Sequence, residues 1–557
     1  GVTMSTPLKE QLLQQLNQLE TERSSFEPHW CELSDFTRPR STRFTASDVN
    51  RGDRRNSKII DPTASLASSV LSSGMMSGIT SPARPWFRLA TPDPDLMDYG
   101  PVKLWLETTE QRMNEVFNRS NLYQSLPLMY GDLGTFGTAA MAVVEDSQRI
   151  IRTVHFPLGS YYIANSPSLS VDVCYRKFTM TVRQLVMEFG LDSVSDTVKS
   201  MWNSSQYSQW VEVVHAVYPN LERQTGKLEA KHKPFKSVYL EVAGDNEKVL
   251  RESGYDEFPI MAPRWEVNGE DVYGSSCPGM FALGGTKALQ LMQKRKAQMI
   301  DKLTNPPLQV PASLKNQRVN TIPGGINYLD EVNPTNKIQT IFDVQPVALK
   351  ALLEDVQDTR QLIDTAYFVD LFRMMQMVNT RSMPIEAVVE MREEKLLQLG
   401  PVLQRLDSEL LDKLINRTFS ILVNKNLLPV APDEMQGMDL KVEYISVMAQ
   451  AQKAIGVGSI ERFAGFVGNL AKVKPEALDK LNADDAIDNY ASAIGVSPTI
   501  VATNEQVQAI RQQRQAQQQQ MAQMQMAQSA IDGAKTLSDT NLDNDSALSA
   551  MAGGGAQ

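Results

Sequence analysis

Apolar residues recur every three or four positions from Leu8 through Leu12, Leu16 and Leu19, with Gln, Lys and Glu between them, and this spacing predicts an amphipathic helix. Pro28 interrupts the pattern, and Trp30, Leu33 and Phe36 resume it. A small-residue helix is predicted from Pro62 to Ile79, rich in Ala, Ser, Leu and Met, and then Pro82, Pro85 and Trp86-Phe87-Arg88-Leu89 start an extended piece. Further helices are expected from Pro101 to Asn118 and from Leu122 to Gly131. Beyond Thr138 the period shortens. Ala140–Val144, Arg152–Phe156, Tyr161–Ala164 and Val171–Met180 read as strands, a helix follows over Val182–Phe189, and strands return at Val211–Tyr218, Ser237–Val242 and Pro259–Val267. Residues 138–268 are therefore expected to form antiparallel sheets.

The helical period resumes at Gly284. One helix is expected to Leu303, roughly 30 Å long, and Pro306-Pro307 ends it. Residues 304–343 carry prolines and Pro323-Gly324-Gly325, with short β-like pieces at Leu308–Val310, Gly325–Leu329 and Ile338–Phe342. A longer helix is expected from Val347 to Met375, about 40 Å, with Leu349, Leu352, Leu353, Val356, Ile363, Tyr367 and Leu371 on its apolar side. A helix pair should follow, Ile385–Leu399 and Pro401–Leu427, broken at Gly400-Pro401. Short helices are expected over Ser446–Ile455, Ser459–Leu470, Pro475–Leu481 and Ala483–Ile494. From Asn504 to Ile531 runs a Gln-, Met- and Ala-rich helix whose heptad seam is diluted by polar residues, too weak for a firm dimer and suited to a helix that needs several neighbours. Composition predicts that residues 532–557 are disordered. The fold class is α+β, mainly helical.

Composition narrows the chemistry. The formal net charge is -10, which argues against a protein that grips duplex nucleic acid tightly, because that affinity comes from neutralising phosphate. Cys31, Cys174 and Cys277 are odd in number and widely spaced, so a reducing compartment and no disulfide framework are expected. No apolar run approaches the ~18 residues needed to span a bilayer, and no secretory signal is expected. The glycines of 279–285 precede Thr286-Lys287 rather than a Gly-Lys-Ser/Thr sequence, so a phosphate loop is missing. The four histidines are scattered, and neither a zinc spacing nor a Gly-x-Ser-x-Gly elbow occurs. No catalytic residue, metal or cofactor is assigned.

What stands out is an order: helix, proline-rich β excursion, longer helix, short loop, helix. In the first helix Leu289, Met292, Met299, Ile300 and Leu303 share one face, while Lys287, Lys294, Arg295 and Lys302 lie roughly opposite. The second carries Glu354, Asp355, Asp358, Asp364 and Asp370, so a basic and an acidic helix are available to pair within one chain or between chains. The basic stretch Arg38–Arg43 and Arg51–Arg55 reads either as a solvated loop or as an arm on a neighbour.

In this setting the chain resembles the portals, or head-to-tail connectors, of short-tailed double-stranded DNA bacteriophages. Four blocks carry the resemblance in the family's order. They are Leu66–Val70 through Gly78-Ile79-Thr80-Ser81-Pro82 to Pro85–Leu89; Asp132-Leu133-Gly134-Thr135-Phe136-Gly137-Thr138-Ala139-Ala140; Tyr273–Gly279 running into the first long helix, then Asn305–Leu308; and Ile385–Lys395 with Leu399–Leu403 and Arg405-Leu406. Ser382-Met383-Pro384 departs from the Thr-Ala run more usual there.

The resemblance implies a non-enzymatic dodecameric ring at the capsid vertex, with double-stranded DNA passing through it during packaging and ejection. It divides the chain into a wing (1–283), stem helix 1 (284–303), a clip (304–343), stem helix 2 (344–375), a tunnel loop (376–384), wing return helices (385–444), a crown (445–503), a barrel helix (504–531) and a tail (532–557). Met375, Met377, Asn379, Thr380 and Arg381 would sit at the narrowest point, with Arg381 touching either phosphate or a neighbouring Glu. Lys287, Lys294, Arg295 and Lys302 would be the basic face of the stem. Pro306, Pro307, Pro323, Gly324 and Gly325 would shape the clip against the terminase large subunit and then a tail adaptor protein. Implied partners also include the major capsid protein, the scaffolding protein and internal core or ejection proteins, with non-specific DNA contacts and no membrane. The implied location is the virion, with assembly in the host cytoplasm. A tail adaptor or internal ejection protein is the alternative; a packaging ATPase or nuclease would need the nucleotide loop that is missing.

Overall fold

The computed structural model describes residues 6–46, 48, 52, 55–244, 247–328, 337–341, 345–380, 382–494, 496 and 499–538. Helices α1 (Leu8–Arg23), α2 (Glu27–Phe36) and α3 (Thr63–Ile79) open it. Strand β1 (Phe87–Ala90) and the short α4 (Pro94–Met97) lead into α5 (Gly100–Arg119) and α6 (Leu122–Phe136). The β-rich part holds β2 (Ala140–Asp146), β3 (Ile150–Phe156), β4 (Tyr161–Asn165), β5 (Val171–Thr181), α7 (Val182–Phe189), α8 (Asp196–Asn203), β6 (Trp210–Pro219), β7 (Phe235–Glu241), β8 (Arg251–Tyr255) and β9 (Ile260–Met261). Then come α9 (Pro278–Thr304), β10 (Leu308–Gln309), β11 (Gln339–Thr340), α10 (Pro346–Ala366), α11 (Val369–Asn379) and α12 (Ile385–Leu406). Last are α13 (Asp412–Asn424), β12 (Lys441–Tyr444), α14 (Val447–Ala471), α15 (Ala483–Ile494) and α16 (Asn504–Ser538).

The β-rich region is antiparallel, as its alternation predicts. Its main sheet runs β4-β5-β6-β7-β8. Adjacent β6 residues face opposite ways: Val214 joins Leu12 and Leu16 of α1, whereas Val213 joins Val182, Leu185 and Val198 beneath α7 and α8. Arg23 locks α1 to this sheet. Its buried Nη1 donates to the carbonyls of Gly159 and Tyr161 at 2.8 Å each, and its guanidinium lies 3.8 Å over the Tyr162 ring. The strand expected over Pro259–Val267 shrinks to β9, where Ile260 and Met261 pair with β2, and continues only as an isolated bridge between Arg264 and Thr138.

The largest core gathers α3, α5, α6, α11, α12 and α13. It overturns several boundaries. Helix α9 starts at Pro278, not at the expected Gly284: Pro278 fits the first helical position, and Gly284-Gly285 pass inside the helix. The long helix breaks at Tyr367–Phe368, where Phe368 takes a left-handed φ of 54°. That conformation costs about 1–2 kcal/mol in a non-glycine residue. Burial of Tyr367 and of Leu371 and Phe372 beyond the break offsets it. Gly400-Pro401 does not break α12, because Leu396, Leu399 and Leu406 stay buried across the proline. The kink lies at Arg392, with φ -137° and ψ 27°, and a π-helical turn follows at Asp407–Leu411. Residues 447–471 form one helix through Gly456 and Gly458 rather than two. Helix α16 runs to Ser538, seven residues into the segment expected to be disordered. No sequence signal pointed to β12, which pairs with β1 and bolts Phe87–Ala90 to the start of the C-terminal helices.

Candidate functional site

Three stretches that carry the family resemblance, 66–82, 132–140 and 273–279, meet in space. Helix α6 crosses α3, and Gly134 leaves room for Leu71, where a Cβ would collide with that side chain. Ser68 Oγ and Thr135 Oγ1 bond across the crossing at 3.0 Å. The segment 273–279 lies along the end of α6 with backbones touching. A Cβ on Gly274 would collide with the carbonyl of Gly137, and one on Gly279 with the carbonyl of Thr135. Gly137 also has a φ of 81°, closing α6. The Gly274 amide donates to Thr138 Oγ1 at 2.8 Å, and Cys277 Sγ donates to the carbonyl of Thr135 at 3.3 Å. Phe372 of α11 occupies the space that a side chain on Gly74 of α3 would take. Buried Asp132 on α6 accepts from His155 Nε2 at 2.6 Å and pairs with Arg38 at 3.4 Å, so the basic stretch is partly folded onto its own chain. These spacings serve close packing rather than chemistry.

A second node joins α9 and α10 part-way along their length. Buried Asp61, just before α3, accepts through Oδ2 from Gln293 of α9 at 2.7 Å and from Arg360 of α10 at 2.8 and 3.0 Å. Its Oδ1 takes the Thr63 amide at 2.9 Å, and Gln290 binds the Ile60 and Asp61 amides and the Asp61 carbonyl. Burial pushes the Asp61 carboxyl up, but the donors on Thr63, Arg360 and Gln293 outweigh it and hold it below its ordinary value. Around this node α9 and α10 run side by side. Their shared face holds Leu289, Val356 and Ile363, whereas Ile300 and Leu303 near the tip are exposed.

Of the expected basic face, Lys294, Arg295 and Lys302 are exposed. Lys287 pairs with Glu32 of α2 at 3.2 Å. Beyond the tip, β10 and β11 pair antiparallel, Leu308 with Thr340 and Gln309 with Gln339, directly after Pro306-Pro307. The expected strand at Gly325–Leu329 is replaced, over its described residues, by part of a turn. The Gly325 amide donates to Ile322 O at 2.8 Å across Pro323-Gly324, with Gly324 at φ 79°, the type II arrangement. Asn320 and Asn327 clamp it with two bonds of 2.6 and 2.8 Å. This turn presents Ile322 and Ile326, each 71% exposed, and Tyr328, 82% exposed.

Of the expected tunnel loop, residues 376–379 are the end of α11, whereas Thr380 and residues 382–384 are non-helical. Met375 is fully buried, and Asn379 turns inward to Ser81 Oγ at 3.1 Å, so neither is a loop residue. Their side chains follow α11 packed on α3. Met377 and Thr380 face outward, and Arg381 lies outside the described residues. Among the described residues no cluster of three His, Cys, Asp or Glu side chains is placed to hold a metal, and no helix is long and apolar enough to cross a membrane. The three cysteines are unpaired.

Residues 9–501 match the model of the bacteriophage head to tail connecting protein family. The chain is 63% identical over 549 residues to the portal protein of Salmonella phage epsilon15, covering 99% of both chains. It is 45% identical over 503 residues to the probable portal protein of Bordetella phage BPP-1, covering 90% of both. The chain belongs to the bacteriophage head to tail connecting protein family. Its function is that of a phage portal, a structural component of the virion. In this connector the quoted blocks are the points where the subunit's helices cross. The Asp61 node escaped sequence reading because Asp61, Gln290, Gln293 and Arg360 lie up to 299 residues apart.

Proposed function

We propose that copies of this chain close into a ring, dodecameric in the family's manner, at one vertex of the capsid. Duplex DNA passes through it inward during packaging and outward during ejection. In this reading α9 and α10 form the stem, residues 304–343 the clip, residues 376–384 the tunnel segment, residues 445–503 the crown and α16 one stave of a barrel. The clip receives the terminase large subunit and later the tail adaptor. Major capsid protein, scaffolding protein and internal ejection proteins meet the outer and inner faces, with assembly in the host cytoplasm. DNA contacts are electrostatic and sequence-independent, and a net charge of -10 suits a surface that DNA slides past rather than grips.

The observation that carries this reading is the paired projection of α9 and α10 ending in a short β excursion with exposed Ile322, Ile326 and Tyr328. Replacing residues 304–343 by a short Gly-Ser linker tests it. The expected result is a folded subunit, unchanged in circular dichroism, that forms rings yet packages no DNA and retains no terminase. Normal packaging by that variant would contradict the assignment of the clip.

A further inference from the structure

The two stem helices present unlike outer faces. On α9, Leu291, Lys294 and Arg295 span an arc of about 100° at 3.6 residues per turn, away from Leu289 and Gly285, which face α10. On α10, Glu354, Asp358 and Leu362 fall at intervals of four, on the side opposite Val356 and Ile363, which face α9. Leu291 is 48% exposed and Leu362 69% exposed, Leu291 one turn from Lys287 and Arg295 and Leu362 one turn from Asp358. Within the chain the two faces cannot meet, since the helix pair itself lies between them. Among the described residues neither Lys294, Arg295 nor Asp358 has an ion-pair partner, and Glu354 has only Lys350, one turn away at 3.9 Å. Lys287, lower on the same side of α9, is already held by Glu32, so the open basic patch begins at Leu291.

We infer that these faces are the two halves of one lateral contact between adjacent copies of this chain: the basic face of α9 on one copy against the acidic face of α10 on the next. The inference rests on the ring reading above and specifies which stem surfaces close it. Heights support the match. Gly285 approaches Thr359 and Ile363, so in this antiparallel pair residues 291–295 of α9 lie level with residues about 351–355 of α10. Rotation about a ring axis carries every residue to the same height in the next copy. Lys294 and Arg295 therefore arrive opposite Glu354, with Asp358 one turn below it, and Leu291 arrives between the two. A cyclic ring needs a heterologous contact of this kind, with two different complementary faces on each subunit.

The test uses two full-length double variants, K294E/R295E and E354K/D358K. In the first both stem faces are acidic, and in the second both are basic. Each alone should remain folded, with unchanged thermal unfolding, and lose rings in native mass spectrometry and negative stain. Mixed in equal amounts they should form rings again, because an alternating ring restores every basic-to-acidic contact. The quadruple variant, with both faces reversed in one chain, should also form rings. Rings from either double variant alone, or no rings from the mixture and the quadruple variant, would overturn the inference while leaving the ring reading intact. Absence of rings from the unaltered chain at every concentration would instead overturn the ring reading itself.

Discussion

The crossing of α3, α6, α11 and the segment 273–279 is saturated by its own chain, whereas the stem tip, the turn beyond it and α16 are not. At the crossing, glycines let backbones touch and the polar groups find partners a few ångströms away. At the periphery, large apolar residues are left to solvent: Ile300 and Leu303 on α9, Ile322 and Tyr328 in the turn, and Ile510, Met521 and Ile531 on α16. A monomer gains nothing from such exposure. The contrast teaches that the crossing carries the stability of the subunit, while the periphery carries its associations.

The strongest way to break this comparison is Gly274→Ala. Its new methyl group would collide with the Gly137 carbonyl, which is backbone and cannot rotate away. The expected cost is more than about 4 kcal/mol, read as loss of the cooperative thermal transition. A variant that melts like the parent would show that the crossing yields easily. Asp61→Ala comes next, at about 2–4 kcal/mol, since it strips Arg360, Gln293 and the Thr63 amide of their shared acceptor. Because the folded Asp61 is held below its ordinary 3.8, its contribution is present above that pH and fades as pH falls through the lower folded value. The difference between parent and variant should therefore shrink in acid, as thermal melts at pH 7 and in strong acid will show.

Two half-buried carboxyls act in the opposite direction. Burial pushes Glu110 up to about 7, and burial together with nearby Asp412 pushes Asp407 up to about 7. Folding then binds protons that the unfolded chain has released, so stability falls as pH rises from about 4.5 to about 7. Glu110→Gln should flatten that slope and add about 1–3 kcal/mol at pH 8. An unchanged slope would mean that Glu110 stays ionised in the folded chain. The smallest effect on stability belongs to the periphery. Ile322→Ser and Tyr328→Ser should shift unfolding by less than about 0.5 kcal/mol while weakening terminase retention. A large loss of stability there would erase the distinction between the two regions.

Much of the fold was legible in the sequence, for physical reasons that also mark where reading stopped. Amphipathic spacing located α1, α5 and both stem helices, and period-two alternation located β2 to β7. Helix ends were misplaced where tertiary packing overrides a local signal. Gly284-Gly285 and Pro401 look like breaks but sit inside helices with buried apolar faces. Tyr367-Phe368 looks like continuous helix but breaks, because Tyr367 must reach the crossing, where its hydroxyl sits beside Thr37 and Thr135. The same cause displaced the tunnel residues. Met375 reads as one of several methionines near a loop, yet it packs inward in the same core as Met448, and Asn379 finds Ser81, nearly 300 positions earlier. The turn at Pro323-Gly324-Gly325 was missed, since a β-like piece was expected from Gly325, although Pro followed by Gly fits the turn type found.

The central claim is that this chain completes itself only as a ring, and the native mass of the purified protein tests it most directly. Twelve copies of 62.1 kDa, about 745 kDa, seen in negative stain as rings with a central hole, are the expected result. A small particle without a channel at every concentration would contradict it.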